Sequence, residues 1–402
     1  MLKVCIAFCS RVKYNFFIRV MQNFKLTRRG FLHSATALSL AVAGPISAAR
    51  KIEGDRLIRV GLIGQDGHTG IILSSLPDIK NAALAAFAKS RPEDDAAWTR
   101  NRPAFTAQTR IYDHYEDMLE KEELDVVGVC LPYYENARAS TEAARRGIHV
   151  ISEKPVATDL ADLAQLEKVI ESSGIRFTSM MNMRTWPAFQ AARRAVQEGL
   201  IGEPILLSSQ KSYKFGGSRP WFYRERRTYG GSIPWVGIHA IDYMRWTSRQ
   251  EYAEVTGHHG NKAHPAYPGC EDHAGVLLKL ANGGTALCNL DYLRPASAST
   301  HGDDRLRMAG SEGVLEVIGS QERAVIISSA LPPDASPGAS NEASSSGGRE
   351  LELPAPIDFL ADFIAELRGE GTHIISNHDA LHLTRVCLLA RQAADQARWL
   401  SI

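Results

Sequence analysis

Five short apolar runs, each closed by turn residues and separated from the next by a helix-period stripe, leave this chain few folds to choose from. The runs occupy 57–63, 82–88, 126–131, 148–152 and 176–181. Between them, Leu160, Leu163, Leu166, Val169 and Ile170 share one helical face ahead of Gly174, and Ala139, Ala143 and Ala144 do so ahead of Gly147. Strands that alternate with helices pair in parallel, because each helix carries the chain back across the sheet. The expectation for 57–183 is an α/β domain built on a doubly wound parallel sheet. Such sheets bind ligands beyond the C-terminal ends of their strands.

Past Arg184 the pattern changes to longer alternating runs at 204–214, 272–280, 284–292, 305–309, 313–318 and 323–328. Alternation with period two predicts an open, mostly antiparallel sheet, so 184–402 reads as a second, α+β domain. A length of 402 residues accommodates two such cores. The Pro-, Gly- and Ser-rich stretch 332–349 reads as a disordered loop within it. Pro356 is expected to open a helix with Ile357, Leu360, Ile364 and Leu367 on one face, and a final helix is expected from about Asn377 to Ala394.

Residues 1–49 hold seven Lys/Arg and no Asp or Glu, which leaves 39 basic against 45 acidic residues in the remainder. An acidic body gives no electrostatic basis for nucleic-acid binding. The leader contains Arg28-Arg29-Gly30-Phe31-Leu32, an apolar stretch from Ala35 to Ala43, then Pro45 and Ser47-Ala48-Ala49. This resembles a twin-arginine export signal cleaved after Ala49. Met21 offers an alternative start. The resemblance implies engagement of the Tat machinery and a periplasmic destination. No run of 18 apolar residues occurs, so no spanning helix is expected.

The turn after the first run is the first chemical clue. G-x-G-x-x-G at such a turn lets a pyrophosphate reach backbone N–H groups. Here Gly64 holds the first position, Asp66 the second and Thr69 the last, with Gly67 and Gly70 shifted in register. A carboxylate there suits a dinucleotide only if it turns away or binds a cation. Gly64, Gly67, His68 and Thr69 are the candidate cofactor contacts. At the end of the second run, where an acidic residue usually reads the ribose, stand Lys89, Ser90 and Arg91. Their charge suits a 2′-phosphate, so NADP is expected ahead of NAD.

Two other groups carry less. His258, His259, His264 and His273 lack the i, i+4 spacing of a helical metal pair, and no metal site is expected. Cys130, Cys270, Cys288 and Cys387 lack C-x-x-C spacing, and Cys130 and Cys288 lie in apolar runs as core residues.

Several motifs then follow in order: ISEKP (151–155), MRTWPAF (183–189), IGEP (201–204), GGSIPWVGIHAIDYMRW (230–246), DYLRP (291–295), HGDDRLRMAGSEGVLEV (301–317) and FLADFIAELRG (359–369). The ordered set resembles the Gfo/Idh/MocA family over roughly residues 57–400. The resemblance implies a nicotinamide-binding Rossmann domain and a second domain whose open sheet forms dimers or tetramers. It also implies hydride transfer between a sugar or cyclitol hydroxyl carbon and the nicotinamide. By the resemblance Lys154 acts near the reacting oxygen, aimed by Pro155, and His239 accepts the hydroxyl proton. Pro132 and Glu153 border the cofactor beside Lys154, and Asp242 orients the His239 ring. Two positions depart from the family: Trp235 stands where an Asp is common, and Asn136 where a His is usual. Trp235 offers a face on which a sugar can stack. Asn136, Tyr133, Tyr134, Arg184, Tyr223 and Arg224 complete the expected substrate surroundings.

Export of a folded protein implies that the nicotinamide travels bound. Three readings stay open on the sequence: a carbohydrate oxidoreductase, a redox-neutral glycoside-cleaving or epimerising enzyme that oxidises transiently, and a sugar- or nucleotide-binding module without catalysis.

Overall fold

The computed structural model describes residues 46–331 and 348–402. Arg28-Arg29 and most of 332–349 lie outside the described residues. β1 (Ile58–Ile63), β2 (Ala82–Ala88), β3 (Arg110–Tyr112), β4 (Val126–Val129), β5 (His149–Ser152) and β6 (Phe177–Ser179) form one sheet in the order β3-β2-β1-β4-β5-β6. Every pairing in it is parallel. β4 and β5 are buried along their whole length, as strands covered on both faces must be. β3 escaped the sequence reading because it has three residues, two of them exposed.

Helix Leu160–Ser173 begins where the Asp159 carboxylate accepts from the Ala161 and Asp162 N–H groups, and stops at Gly174 with φ +67°. Its buried residues include Leu163, Leu166, Val169 and Ile170, the stripe that the periodicity marks. The order of strands reverses between β1 and β4, which opens a crevice above their C-terminal ends.

The second sheet contains β7 (Pro204–Tyr213), β8 (Tyr252–Gly260), β9 (His273–Leu280), β10 (Thr285–Asp291), β11 (Gly302–Gly310), β12 (Gly313–Ile318), β13 (Arg323–Ser328), β14 (Arg349–Glu350) and β15 (Leu400–Ser401). Their order is β14-β13-β12-β11-β7-β10-β9-β8-β15, and only β7 with β10 runs parallel. Helices Pro187–Gln197 and Ile238–Ser248 pack on one face. Leu206, Leu287 and Ile327 are exposed, out of phase with the buried positions. The long helix Asn377–Gln396 touches β6 of the first sheet and β8 of the second.

Four details depart from the sequence reading. Pro356 does not open a helix: Asp358 caps Phe359–Leu367 by accepting from the Ala361 N–H, and Pro356 stays in the extended lead-in. Arg349 belongs to β14, opposite Ile326, and not to a loop. β8 was missed because Gly257 and Gly260 interrupt its pattern; a Cβ at Gly257 would sit 2.7 Å from the Gly275 carbonyl. Ser47 and Ala49, assigned to the leader, donate to the Arg145 and Ser173 carbonyls at helix ends of the first domain.

Candidate active site

The turn after β1 is built from glycine backbone. Gly64 and Gly67 have φ of +80° and +75°. A Cβ at Gly64 would lie 2.2 Å from the Cys130 carbonyl oxygen, and one at Gly67 would lie 2.5 Å from Glu153 Oε1. The Asp66 N–H donates to the Cys130 carbonyl at 2.8 Å. Its carboxylate turns to the end of β2, where the Ser90 hydroxyl donates to it at 2.7 Å and in turn accepts from the Gln65 N–H. Burial raises the Asp66 carboxyl to about 6, against the stabilising bond from Ser90. Thr69 Oγ1 and Glu153 Oε2 are buried without partners among the described residues. A bare glycine turn with two orphaned polar atoms and its carboxylate swung aside fits a dinucleotide.

The cationic edge expected at 89–91 is already neutralised. Lys89 pairs with Asp113 at 2.8 Å and donates to the Pro92 carbonyl. Arg91 pairs with Asp94 at 2.8 Å.

Lys154 follows β5 by two residues, precedes a cis bond to Pro155, and is fully buried. Its Nζ donates to the Trp235 carbonyl at 3.0 Å and lies 2.9 Å from the centroid of the Trp235 ring. Tyr133 stacks on the same ring at 4.1 Å. At those distances the ammonium and the phenol cannot share a face, so both faces of the indole are filled. This corrects the reading of Trp235 as a free platform for a sugar. Burial drives the Lys154 amine well below its usual range, and the neighbouring Glu153 charge opposes that shift.

His239 is reached through the π-helical turn Ile233–Gly237 and opens helix Ile238–Ser248. Its ring is almost fully buried, and Nδ1 has no partner among the described residues. Burial, and then the charges of Lys154 and Lys211, hold it well below the usual imidazole range, so it stays neutral. His68, from the β1 turn, lies edge-on to His239 with ring centroids 6.3 Å apart, and its Nδ1 is 2.7 Å from Glu153 Oε1.

His68 and His239 both face a cavity of about 670 Å³ that joins the ends of β1 and β6 to the second sheet. Met183, Tyr213 and His301 contribute to its walls. So do Lys211 and Asp304, which the sequence reading missed. They are directly opposite residues on β7 and β11, their charged atoms 2.5 Å apart and both nearly fully buried. A signal existed. Lys211 is in phase with the inward Leu207 and Ser209, and Asp304 with Leu306 and Met308, so each charge occupies a core position of an alternating strand.

Other expected site residues serve the scaffold. Asp242 does not orient His239: its carboxylate is held by Arg184 at 2.6 Å, and Arg184 also pairs with Asp379 at 2.9 Å, all outside the cavity wall. Asn136 is buried between loops, accepting from the Leu131 N–H and donating to the Glu153 and Pro155 carbonyls. Pro132 turns the chain by accepting from the Glu135 N–H. Tyr223 shares a 2.8 Å hydrogen bond with Tyr133 behind Trp235. Arg224 is exposed and lies over Tyr267, and Tyr134 faces Arg227. The four histidines are dispersed: His259 bonds Asp395, His264 stacks on Phe215, and His258 stands 6.4 Å from His273 between ring centroids. Among the described residues no group of His, Cys, Asp and Glu has the arrangement of a metal site. Cys130, Cys270, Cys288 and Cys387 are buried free thiols.

Residues 58–180 match the oxidoreductase family NAD-binding Rossmann fold, and 189–316 match the GFO/IDH/MocA C-terminal domain. The chain is similar to a solved candidate oxidoreductase from Thermotoga maritima, with 33% identity, a TM-score of 0.78, and 86% of this chain and 100% of that one covered. It is 26% identical to D-apiose dehydrogenase of Paraburkholderia graminis over 71% of this chain and 72% of that protein. Inositol 2-dehydrogenase of Rhizobium meliloti is also 26% identical, over 64% and 74%. With the parallel sheet, the glycine turn and the open second sheet in place, the chain belongs to the Gfo/Idh/MocA family of oxidoreductases.

Proposed function

We propose that the protein oxidises a hydroxyl-bearing carbon of a sugar or cyclitol, using NAD held in the β1 turn. One observation carries this reading: a single cavity brings together His68 of the β1 turn, a neutral His239 and the buried Lys211–Asp304 pair. The nicotinamide, when bound, supplies a two-electron acceptor. The chain supplies the rest. His239 takes the hydroxyl proton, because an imidazole held neutral in a buried site has its lone pair free. Lys211, fixed by Asp304, places positive charge near the oxygen on which alkoxide character develops. Lys154 acts as a positioning residue, anchoring the Trp235 indole and carbonyl.

NAD is proposed ahead of NADP, although the charges at 89–91 by themselves suit NADP. The support is the pairing of Lys89 and Arg91 with acidic partners, and the Asp66 carboxylate beside Ser90, where it would repel a 2′-phosphate. The leader at Arg28-Arg29 supports export with the cofactor bound, and the exposed Leu206, Leu287 and Ile327 support self-association through the second sheet.

The test is denaturation of the protein purified from the export compartment, with mass analysis of the released small molecule, followed by turnover of D-apiose and myo-inositol. Near-equimolar NAD and a ketone or lactone product are expected. An empty protein that binds neither dinucleotide would overturn the reading, and a dehydrated or epimerised product with no net cofactor reduction would replace it with the redox-neutral one.

A further inference from the structure

We infer that His68, held by Glu153, is a second proton-transfer residue of this site, one whose reactive nitrogen faces the open side of the cavity. The inference rests on the sugar-oxidising reading above and adds a residue that the family motifs do not assign.

Three geometric facts converge on it. The first concerns reach. Lys154 is fully buried behind the Trp235 indole, and His239 is 1% exposed, whereas the His68 side chain is 36% exposed at the wall of the same cavity. Among the three, His68 is the group most open to solvent through the cavity.

The second concerns tautomer. Nδ1 of His68 lies 2.7 Å from Glu153 Oε1. With Glu153 Oε1 accepting at that distance, the ring presents Nδ1–H to it and leaves the Nε2 lone pair bare. No protein group among the described residues bonds that Nε2. A carboxylate behind an imidazole fixes the ring and stabilises the imidazolium that forms when a proton arrives.

The third concerns the carboxylate itself. Glu153 is buried, its Oε2 is unpartnered among the described residues, and Gly67 packs so closely that any Cβ there would collide with it. The Gly64–Gly67 turn therefore does two things at once. It bares backbone for a dinucleotide and brings the side chain of the next residue onto Glu153.

The step balances simply. The substrate O–H bond breaks and its proton goes to His239. The freed electron pair forms the C=O bond, and the C–H pair leaves as hydride to the oxidised nicotinamide that the family activity supplies. The proton then passes across the cavity that both rings face to His68 Nε2, and the imidazolium so formed returns it to water through the open side. His239 is thereby neutral again for the next turnover.

The test uses the full chain with NAD bound, as wild type, H68Q, H68N and E153Q. Nitrogen-15 histidine NMR of wild type is expected to show His68, assigned by its loss in H68Q, as the Nδ1–H form with a bare Nε2. In E153Q the tautomer ratio should move at least threefold. An Nε2–H ring in wild type, or no change in E153Q, overturns the dyad. With D-apiose or myo-inositol as probe, H68Q and H68N are expected to lower kcat at least 100-fold, with the Kd for NAD within threefold of wild type and E153Q between them. A loss of NAD affinity that matches the loss of turnover makes His68 a cofactor contact and sinks the proposal, as does turnover within threefold of wild type. If wild type binds NAD but oxidises no sugar, the proposed function falls, and the NMR result alone decides whether the dyad exists.

Discussion

Lys154 Nζ lies 2.9 Å from the centroid of the Trp235 ring and donates to the carbonyl of the same residue, so one side chain is held by its face and its backbone together. Trp235 occupies the position where the family commonly carries a carboxylate. The ordinary partner for a lysine has thus been exchanged for a π face and a carbonyl, both of which accept a buried amine without adding a charge.

Removing that indole should expose the lysine. Trp235→Ala is expected to cost about 3–5 kcal/mol, the range for deleting a large buried aromatic, and to make Lys154 acylable by an amine reagent that leaves it untouched in wild type. Peptide mass mapping reads the label. Unchanged protection of Lys154 in a folded Trp235→Ala variant would mean that something other than the indole covers it.

The Lys211–Asp304 pair should behave as a unit. Lys211→Met leaves a buried carboxylate alone and is expected to lose about 3–5 kcal/mol in urea unfolding, whereas Lys211→Met with Asp304→Leu should recover most of that loss. Both variants should lose sugar oxidation. Equal instability in single and double variants would show that the strands, not the charges, are at fault.

Asp66 makes stability depend on pH with a definite sign. Burial raises its folded carboxyl to about 6, above the unfolded value near 3.8. Between those values the folded protein binds more protons, so this residue's contribution falls as pH rises from about 4 to about 6 and is flat above. Asp66→Asn, which keeps an acceptor for Ser90, should flatten that limb and stabilise the protein at pH 7.5 by an amount on the order of 1–3 kcal/mol. Thermal melts from pH 4 to 8 measure it. The same variant should bind NADP more tightly relative to NAD, by about tenfold (~1.4 kcal/mol) for the removal of one nearby like charge.

Acid should attack the Arg184 cluster. Burial alone would raise the Asp379 carboxyl, but Arg184 and Arg245 together hold it well below the usual range. Its contribution is therefore present above about pH 4 and is lost as pH falls through the depressed folded value. Arg184→Gln should shrink that acid limb, leaving the part that Arg245 sustains, and cost about 3–5 kcal/mol at neutral pH, since Asp242 would be left buried and unpaired. Urea midpoints at pH 2 and 7 decide the matter.

A change at Gly67 tests the turn. Gly67→Ala would place a Cβ 2.5 Å from Glu153 Oε1 at a φ of +75°, so a loss of about 1–3 kcal/mol is expected from the backbone conformation and the collision together. Calorimetry gives the stability, and weaker NAD binding should accompany it.

Much of this protein was legible in its residues. The stripe Leu163, Leu166, Val169 and Ile170, stopped by Gly174, is a helix because period and terminator agree, and the apolar runs at 57–63 and 126–131 are strands because nothing else buries so short a segment on both faces. Period and punctuation are local properties, and they marked most of the strands and helices, while the resemblance carried by the ordered motifs pointed to His239 and the Lys154–Pro155 turn. Partnership is not local. Whether Arg184 faces a substrate or Asp242, whether Lys89 and Arg91 are free or paired, and whether the faces of Trp235 are open depends on segments that meet only after folding: Arg184 and Asp379 are 195 residues apart. Lys211 and Asp304 show the boundary most clearly. Each could be seen alone as a charge in a core phase, but the register that sets one opposite the other, and turns two liabilities into a cavity wall, exists only in the assembled sheet.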